Sequence, residues 1–325
     1  MRHLNLCVGL VALLAVTGCG SKGAKTASNG GGASSSSSAP SGNASAEQVA
    51  KEMRGKVHCP AKVAEAAPAG GPVIDVVGLR PGITYDEAVN IVECDNPLLV
   101  VTEDKSRGFN INTYGQKIRQ GFDGTFAVAR VQKTGQQIVQ EMENEAIARG
   151  TNAISEDMKP GQVKYYVATM GVPGQEKVIY ATREEWFNEG KNPPVDSVIQ
   201  ALTAKYGEPT KKLDIGPIDR QLEWDYDPNG RPITETSPLY NQCNGVADPD
   251  SGTNFSPDCG VIVRAQIRSL KDNPGLAKFM QAGVMDQANG YAAITGTEEA
   301  LHKMDLQRQQ DELNKAGKNA DAPKL

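Results

Sequence analysis

Among the residues whose types and spacing could carry chemistry, the stretch DYDPNG is the most specific. Asp225, Asp227, Asn229 and Gly230 fit the pattern D-x-[DN]-x-[DN]-G, the first half of a calcium-binding loop, in which alternate oxygen-bearing side chains converge on one cation and the glycine permits a sharp turn. Such a loop closes with a bidentate glutamate at its twelfth position. Here that position is Thr236, Glu235 falls one residue early, Pro228 and Pro232 interrupt the loop, and a strand-like stretch precedes it. The competing reading is a hairpin turn, for which Asp-Pro-Asn-Gly is good chemistry. A second acidic loop, DPDSGTN from Asp248, could add ligands.

Nucleophilic catalysis lacks parts. His58 adjoins Cys59 and His302 sits in a polar helical run, so no Ser-His-Asp set assembles. G-x-S-x-G, H-E-x-x-H and the phosphate loop are all absent. The chain has 39 acidic residues, enough to hide a glycosidase-like pair, but spacing singles none out. Asp86 and Glu87 read as first-turn acids that complement a helix dipole rather than as an acid–base pair. Trp186, Phe187 and Trp224 could line a groove, with core packing as the alternative. No catalytic residue is assigned; an undetected hydrolase stands third among the readings.

The elements that would position these residues are well punctuated. Ser45 precedes Gln48 by three, and Thr84 precedes Glu87 by three, so two capping boxes open helices over about 46–54 and from Tyr85, the second with Ala88, Ile91 and Val92 as its apolar stripe. PLLVVTED, GFNINTYG and TFAVARVQ read as strands separated by turns. GQQIVQEMENEAIARG reads as a helix with Ile138, Met142 and Ala146 in line. VKYYVATM and KVIYATREEWF flank GVPGQE as a hairpin whose Pro173-Gly174 suits a type II turn. Pro193 and Pro194 introduce a helix with Val195, Val198, Ile199, Leu202 and Tyr206 at helical spacing, ended by Gly207 and Pro209. RQLEWDYD, CGVIVRAQIRSL and AKFMQAGVMD follow as strands, and TEEALHKMDLQRQQDELNKAGKNA as a polar helix. A helix followed by antiparallel strands is met twice. The reading is an α+β fold of antiparallel sheet with helices packed on one side, in two units, 45–160 and 161–325.

The first residues, MRHLNLCVGLVALLAVTGCGSKG, have a basic start and an apolar run of signal-peptide length, ending in Val16-Thr17-Gly18-Cys19. This resembles the lipobox of bacterial lipoproteins. The resemblance implies a signal peptide over 1–18, cleavage before Cys19 and acylation of that cysteine, a two- or three-chain anchor of about 0.8 kcal/mol per buried methylene. Gly20 rather than aspartate after the cysteine resembles the outer-membrane sorting pattern. Residues 19–44 are rich in Ser, Gly and Ala and form a flexible tether with a root-mean-square span of roughly 25–30 Å. In an exported chain, Cys59, Cys94, Cys243 and Cys259 read as two disulfides, with Cys59–Cys94 and Cys243–Cys259 favoured among three pairings because they are sequential and close short loops. Zinc is the rival, but no Cys-x-x-Cys pair exists. A net charge of −5 without a Lys/Arg cluster, and 5% aromatic residues, argue against nucleic acid.

Gly82, Thr84 and Glu87, then Tyr206-Gly207-Glu208-Pro209, then Trp224-Asp225-Tyr226 are similar to the signatures of the BamE lipoprotein family: G-x-(T/S)-x-x-(E/Q) opening a helix, LG-x-P closing one, and W-x-Y in the strand after it. GLRPGIT with DEA, and KYGEP, also resemble proteobacterial lipoproteins that pair those motifs. The resemblance implies BamE-like or cystatin-like units. The functional expectation is a non-enzymatic envelope protein, held to the membrane by its lipid, facing the periplasm and binding another protein, with no cofactor. The alternative is a small-ligand or calcium-binding lipoprotein whose ligand sits between the two halves.

Overall fold

The structure, a computed structural model, describes residues 42–61, 74–104, 107–150 and 158–319, with backbone alone over 145–150 and at 319. The leader, Cys19 and nearly all of the tether lie outside the described residues, as does Ala146 of the expected helical stripe with respect to its side chain. The described residues form one compact unit.

Both capping boxes form. Ser45 opens α1 (Ala46–Met53), and Thr84 opens α2 (Tyr85–Asp95), each side chain accepting from the third helical residue, whose own side chain returns to the cap backbone. Strands β1 (Leu99–Glu103) and β2 (Gly121–Phe126) follow, then α3 (Gly135–Gly150), β3 (Val163–Met170) and β4 (Lys177–Trp186). The second series is α4 (Val195–Tyr206), β5 (Lys211–Ile215), β6 (Asp219–Asp225), β7 (Val261–Ser269), β8 (Ala277–Asp286) and α5 (Gln287–Asn319).

All eight strands make one antiparallel sheet in the order β1-β2-β3-β4-β8-β7-β6-β5. Read from either edge, the succession is the same: a meander of four strands that ends at the central seam, where β4 pairs with β8 through Tyr180↔Met285 to Trp186↔Phe279. In each half, the residue before the helix bridges the start of the fourth strand, Thr84 to Lys177 and Pro194 to Leu276. The helix-plus-four-strand layout is thus repeated about a local two-fold axis at the seam. The repeat changes over between β4 and α4, at residues 187–194, later in the chain than the division at 160/161 read from the sequence.

The strand period of two sorts side chains onto two faces. On the first face, Ala88, Ile91 and Val92 of α2 and Val198, Leu202 and Tyr206 of α4 pack on Leu99, Phe122, Val167, Ala181, Trp224, Val263 and Val284. On the second face, Leu301 of α5 joins Ile118, Tyr166, Met170, Tyr180, Ile262 and Met285 under two long connections. The antiparallel sheet with helices on one side therefore describes α2 and α4, and α5 is added across the opposite face. Trp224 and Tyr165 are among the largest buried side chains; each such burial is worth roughly 1.5–3 kcal/mol or more.

Three stretches differ from their reading. GFNINTYG forms no strand. Tyr114 at φ 50° and Gly115 at φ 79° turn the chain there, and Phe109, Ile111 and Tyr114 pack irregularly over the second face instead. β2 stops at Phe126, because the sheet partner β3 pairs only from Gly121 to Gly124 and β1 ends opposite Phe126. α5 begins at Gln287, earlier than the expected Thr297, with its first turn held by Gln287, whose side chain donates to Asn244 O and accepts from Ser256 N–H.

Candidate functional site

The calcium-loop residues separate. Asp225 ends β6 with its carboxylate fully buried on the second face, Oδ2 lying 2.8 Å from Lys211 Nζ of β5. Asp227 lies beyond the strand, where its carboxylate accepts the N–H groups of Asn229 and Arg231 at 2.9 Å each and pairs with the Arg231 guanidinium at 2.7 Å. Asn229 is exposed on the turn, and Gly230 takes φ 76°. The turn reading describes Asp227, Asn229 and Gly230: Asp225 lies against a lysine on the sheet, Asp227 folds a hairpin, and no shared centre for a cation forms between the two acids. Asp248 is likewise occupied, accepting from Asp250 N–H and Ser251 Oγ within its own loop. Among the described residues, no group of three or more His, Cys, Asp and Glu side chains could hold a metal.

Asp225 belongs instead to a buried charged cluster. Lys211 Nζ reaches Glu223 Oε1 at 2.7 Å, Asp225 Oδ2 at 2.8 Å and the Cys243 carbonyl at 2.6 Å. Glu223 Oε2 accepts the Gly245 N–H at 3.0 Å, and Arg264 donates to the Gly245 carbonyl at 3.0 Å and to Gln221 at 2.6 Å. Two buried carboxylates compete for one lysine. Burial, and then the Glu223 charge, push the Asp225 carboxyl up to about 7, with Lys211 opposing.

This cluster fastens the start of a disulfide-closed strap. Cys243 and Cys259 are bonded, with Cα atoms 5.6 Å apart. The strap crosses the seam onto the first half: Arg107 donates to Pro249 O at 2.6 Å, Lys164 pairs with Asp250 at 2.5 Å, and Tyr180 Oη donates to Asp248 O at 3.4 Å. Arg107 also pairs with Asp104 and Asp123 and lies over the Tyr166 ring, 3.8 Å from its centroid. Glycines let the strap approach so closely. A Cβ at Gly283 would lie 1.9 Å from Val246 O, and one at Gly290 would lie 2.3 Å from the Phe255 ring.

The remaining sequence candidates make contacts within the fold. Cys59 and Cys94 are bonded, with Asn90 hydrogen-bonded both to His58 N–H (2.8 Å) and to His58 O (3.0 Å), so the end of α2 is stapled to the segment before it. Asp86 pairs with Arg119 at 2.7 Å, Glu87 completes the capping box, and Arg119 also binds Glu176, a buried acid that this contact holds ionised. Desolvation works against that ionisation, and the Arg119 hydrogen bonds outweigh it. His302 stacks on Tyr114 at 5.0 Å. Trp186 stacks on Phe279 at 5.4 Å, and Trp224 is buried, donating to Gly207 O at 2.8 Å.

What the sequence does not single out is the connection between β2 and β3. Val128, Val131, Ile138, Val139 and Met142 are all exposed there, Val128 at 78% and Met142 at 65%. The helical spacing of Ile138 and Met142 signals an apolar stripe, and in this fold nothing described covers it. Among the described residues, no helix is long and apolar enough to cross a membrane. No family model, curated protein or solved structure matches this chain.

Proposed function

We propose that the protein is a lipid-anchored, periplasm-facing component of the bacterial cell envelope whose arm between β2 and β3 docks another protein. One observation carries this reading: five exposed large apolar side chains fall between residues 128 and 142, on the connection between β2 and β3. Exposed apolar side chains gathered on one segment mark interaction sites. The arm sets charge beside these apolar groups, with Glu141 paired to Lys133 and Glu143 exposed, a mixed surface that suits a protein groove. The acyl group at Cys19 and the tether set the distance from the membrane at which the arm meets its partner.

The test is photo-crosslinking in cells from probes placed at Ile138 and Met142. A discrete adduct with one envelope protein, weakened when Cys19→Ala releases the chain from the membrane, is the expected result. Adducts with lipid alone, or none at either position, overturn the reading.

A further inference from the structure

The first face carries a groove of about 400 Å³ over the seam between the two halves, independent of the arm. Its floor is Arg183 of β4 with Met280 and Ala282 of β8. One wall is the exposed flank of α4, Ser197, Ala201 and Lys205; the other is Val76 and Val77. The volume lies in the range of small-ligand sites.

The wall at 76–77 is a built feature. Val76 and Leu79 exchange both backbone hydrogen bonds at 2.9 Å, and the two residues between them, Val77 and Gly78, take φ 53° and 86°. This is a two-residue hairpin turn of the type that prefers Asn-Gly. A β-branched residue at positive φ is strained, and such strain collects where a side chain is needed in place. The turn is tied to α4 across the seam: Lys205 Nζ pairs with Asp75 at 2.9 Å, and Tyr206 Oη donates to Asp75 O at 2.7 Å.

Arg183 and Lys205 line the groove and no carboxylate is among its described lining residues, each cation having its acidic partner outside it, Glu185 and Asp75. Arg183 Nε donates to Tyr165 Oη at 2.9 Å and Nη1 to Glu185 at 2.6 Å, while Nη2 has no hydrogen-bond partner among the described residues. The guanidinium is nearly buried, its side chain 11% exposed. A nearly buried guanidinium with one donor nitrogen still open, at the bottom of an apolar trough beside Lys205, suits a carboxylate oxygen. We propose that this groove binds a small apolar monocarboxylate, its chain lying along Ala201, Met280 and Val77 and its carboxylate between Arg183 and Lys205.

The test is titration calorimetry of octanoate into the acylated protein held in phosphatidylcholine nanodiscs, with empty discs subtracted. Octanoate should bind with a submillimolar Kd, octanol at least tenfold more weakly, and octylammonium not at all. Ala201→Trp, on an exposed helix flank, should abolish binding without changing the melting temperature appreciably. Lys205→Gln and Arg183→Gln should each weaken it about tenfold, Lys205 serving as the check should the Arg183 variant fold poorly. Val77→Asn should raise the melting temperature yet weaken octanoate, a combination that a purely structural turn would not give. Absence of octanoate binding, equal binding of octylammonium, or undiminished binding by Ala201→Trp overturns the proposal. Because the arm is untouched, these outcomes leave the crosslinking test at Ile138 and Met142 separate.

Discussion

The two halves of the sheet place a long connection at the same point, between their second and third strands, and treat it in opposite ways. In the second half, the connection from β6 to β7 is closed by Cys243–Cys259, pinned by Lys211, Glu223 and Arg264, and laid across the seam onto Arg107, Lys164 and Tyr180. In the first half, the connection from β2 to β3 carries α3, and its apolar residues face outward. A duplicated framework therefore does not dictate what its loops do. The strap offsets its chain entropy with a crosslink, buried charges and close glycine contacts, and its role is to fasten one half to the other. The arm is tied at its base, where Arg130 bridges Ala44 and pairs with Glu52, but among the described residues its exposed apolar side chains have no crosslink or buried charge beside them, which is the thermodynamic position of a segment that completes its packing on a partner.

The largest expected difference follows from the crosslink. The bond spans 16 residues in sequence. Replacing Cys243 and Cys259 together by serine should cost about 3 kcal/mol in the chain-entropy account, read as a lower urea midpoint, and should expose the strap to proteolysis. The comparison fails if stability is unchanged. Next in size is Gly283→Val. The added side chain occupies the place of the Val246 carbonyl, so the strap must lift from the seam, at a cost of about 1–3 kcal/mol. Gly124→Ala is the corresponding control in the first half, because the Cβ there meets Val92 of α2 rather than a long connection.

A third prediction concerns pH. Asp225 has its folded carboxyl raised to about 7, above the ordinary carboxylate range. Between the unfolded and folded values the native state binds the extra proton, so this group's contribution is fully present below about pH 4 and is lost as pH rises through 7. Asp225→Asn should therefore flatten the fall in melting temperature between pH 5 and 8, and should leave Lys211 paired with Glu223. An unchanged slope would show that the cluster does not hold a proton when the strap is docked.

How far these features were legible in the sequence depends on whether local chemistry or pairing decides them. Thr84 with Glu87, and Pro194 with Gly207, mark helix ends through short-range hydrogen bonds and fixed dihedrals, and those helices lie where the chain says they do. β7 alternates well and is equally plain, whereas β8 alternates only over its first residues and is buried on both faces beyond them. β5 is different: Lys211–Ile215 is mostly exposed and is a strand only because β6 pairs with it. The spacing at Asp225 and Asp227 suggested a metal loop, but the strand ends between them. The more telling signal was Glu223 and Asp225 two apart on one face of β6 with Trp224 on the other, a pattern that requires a cation from the next strand. Lys211 supplies it, and its position across the sheet is not a local property of the chain. The apolar spacing of α3 was read correctly as a stripe, and only the three-dimensional arrangement shows it uncovered.

The smallest expected change in stability belongs to the arm, and it sharpens the comparison most. Ile138 and Met142 are exposed, at 47% and 65%, so replacing both with glutamate removes little buried area and should change the folding free energy by no more than about 0.5 kcal/mol. The same double substitution at buried positions such as Ile262 and Met285, beneath the strap, would unfold the sheet. If the arm is a docking element, the Ile138→Glu, Met142→Glu protein should melt with the parent, reach the membrane as the parent does, and lose the crosslinked adduct. A drop of several degrees in melting temperature would instead mean that the arm is packed against its own chain, and the contrast between the two connections would disappear.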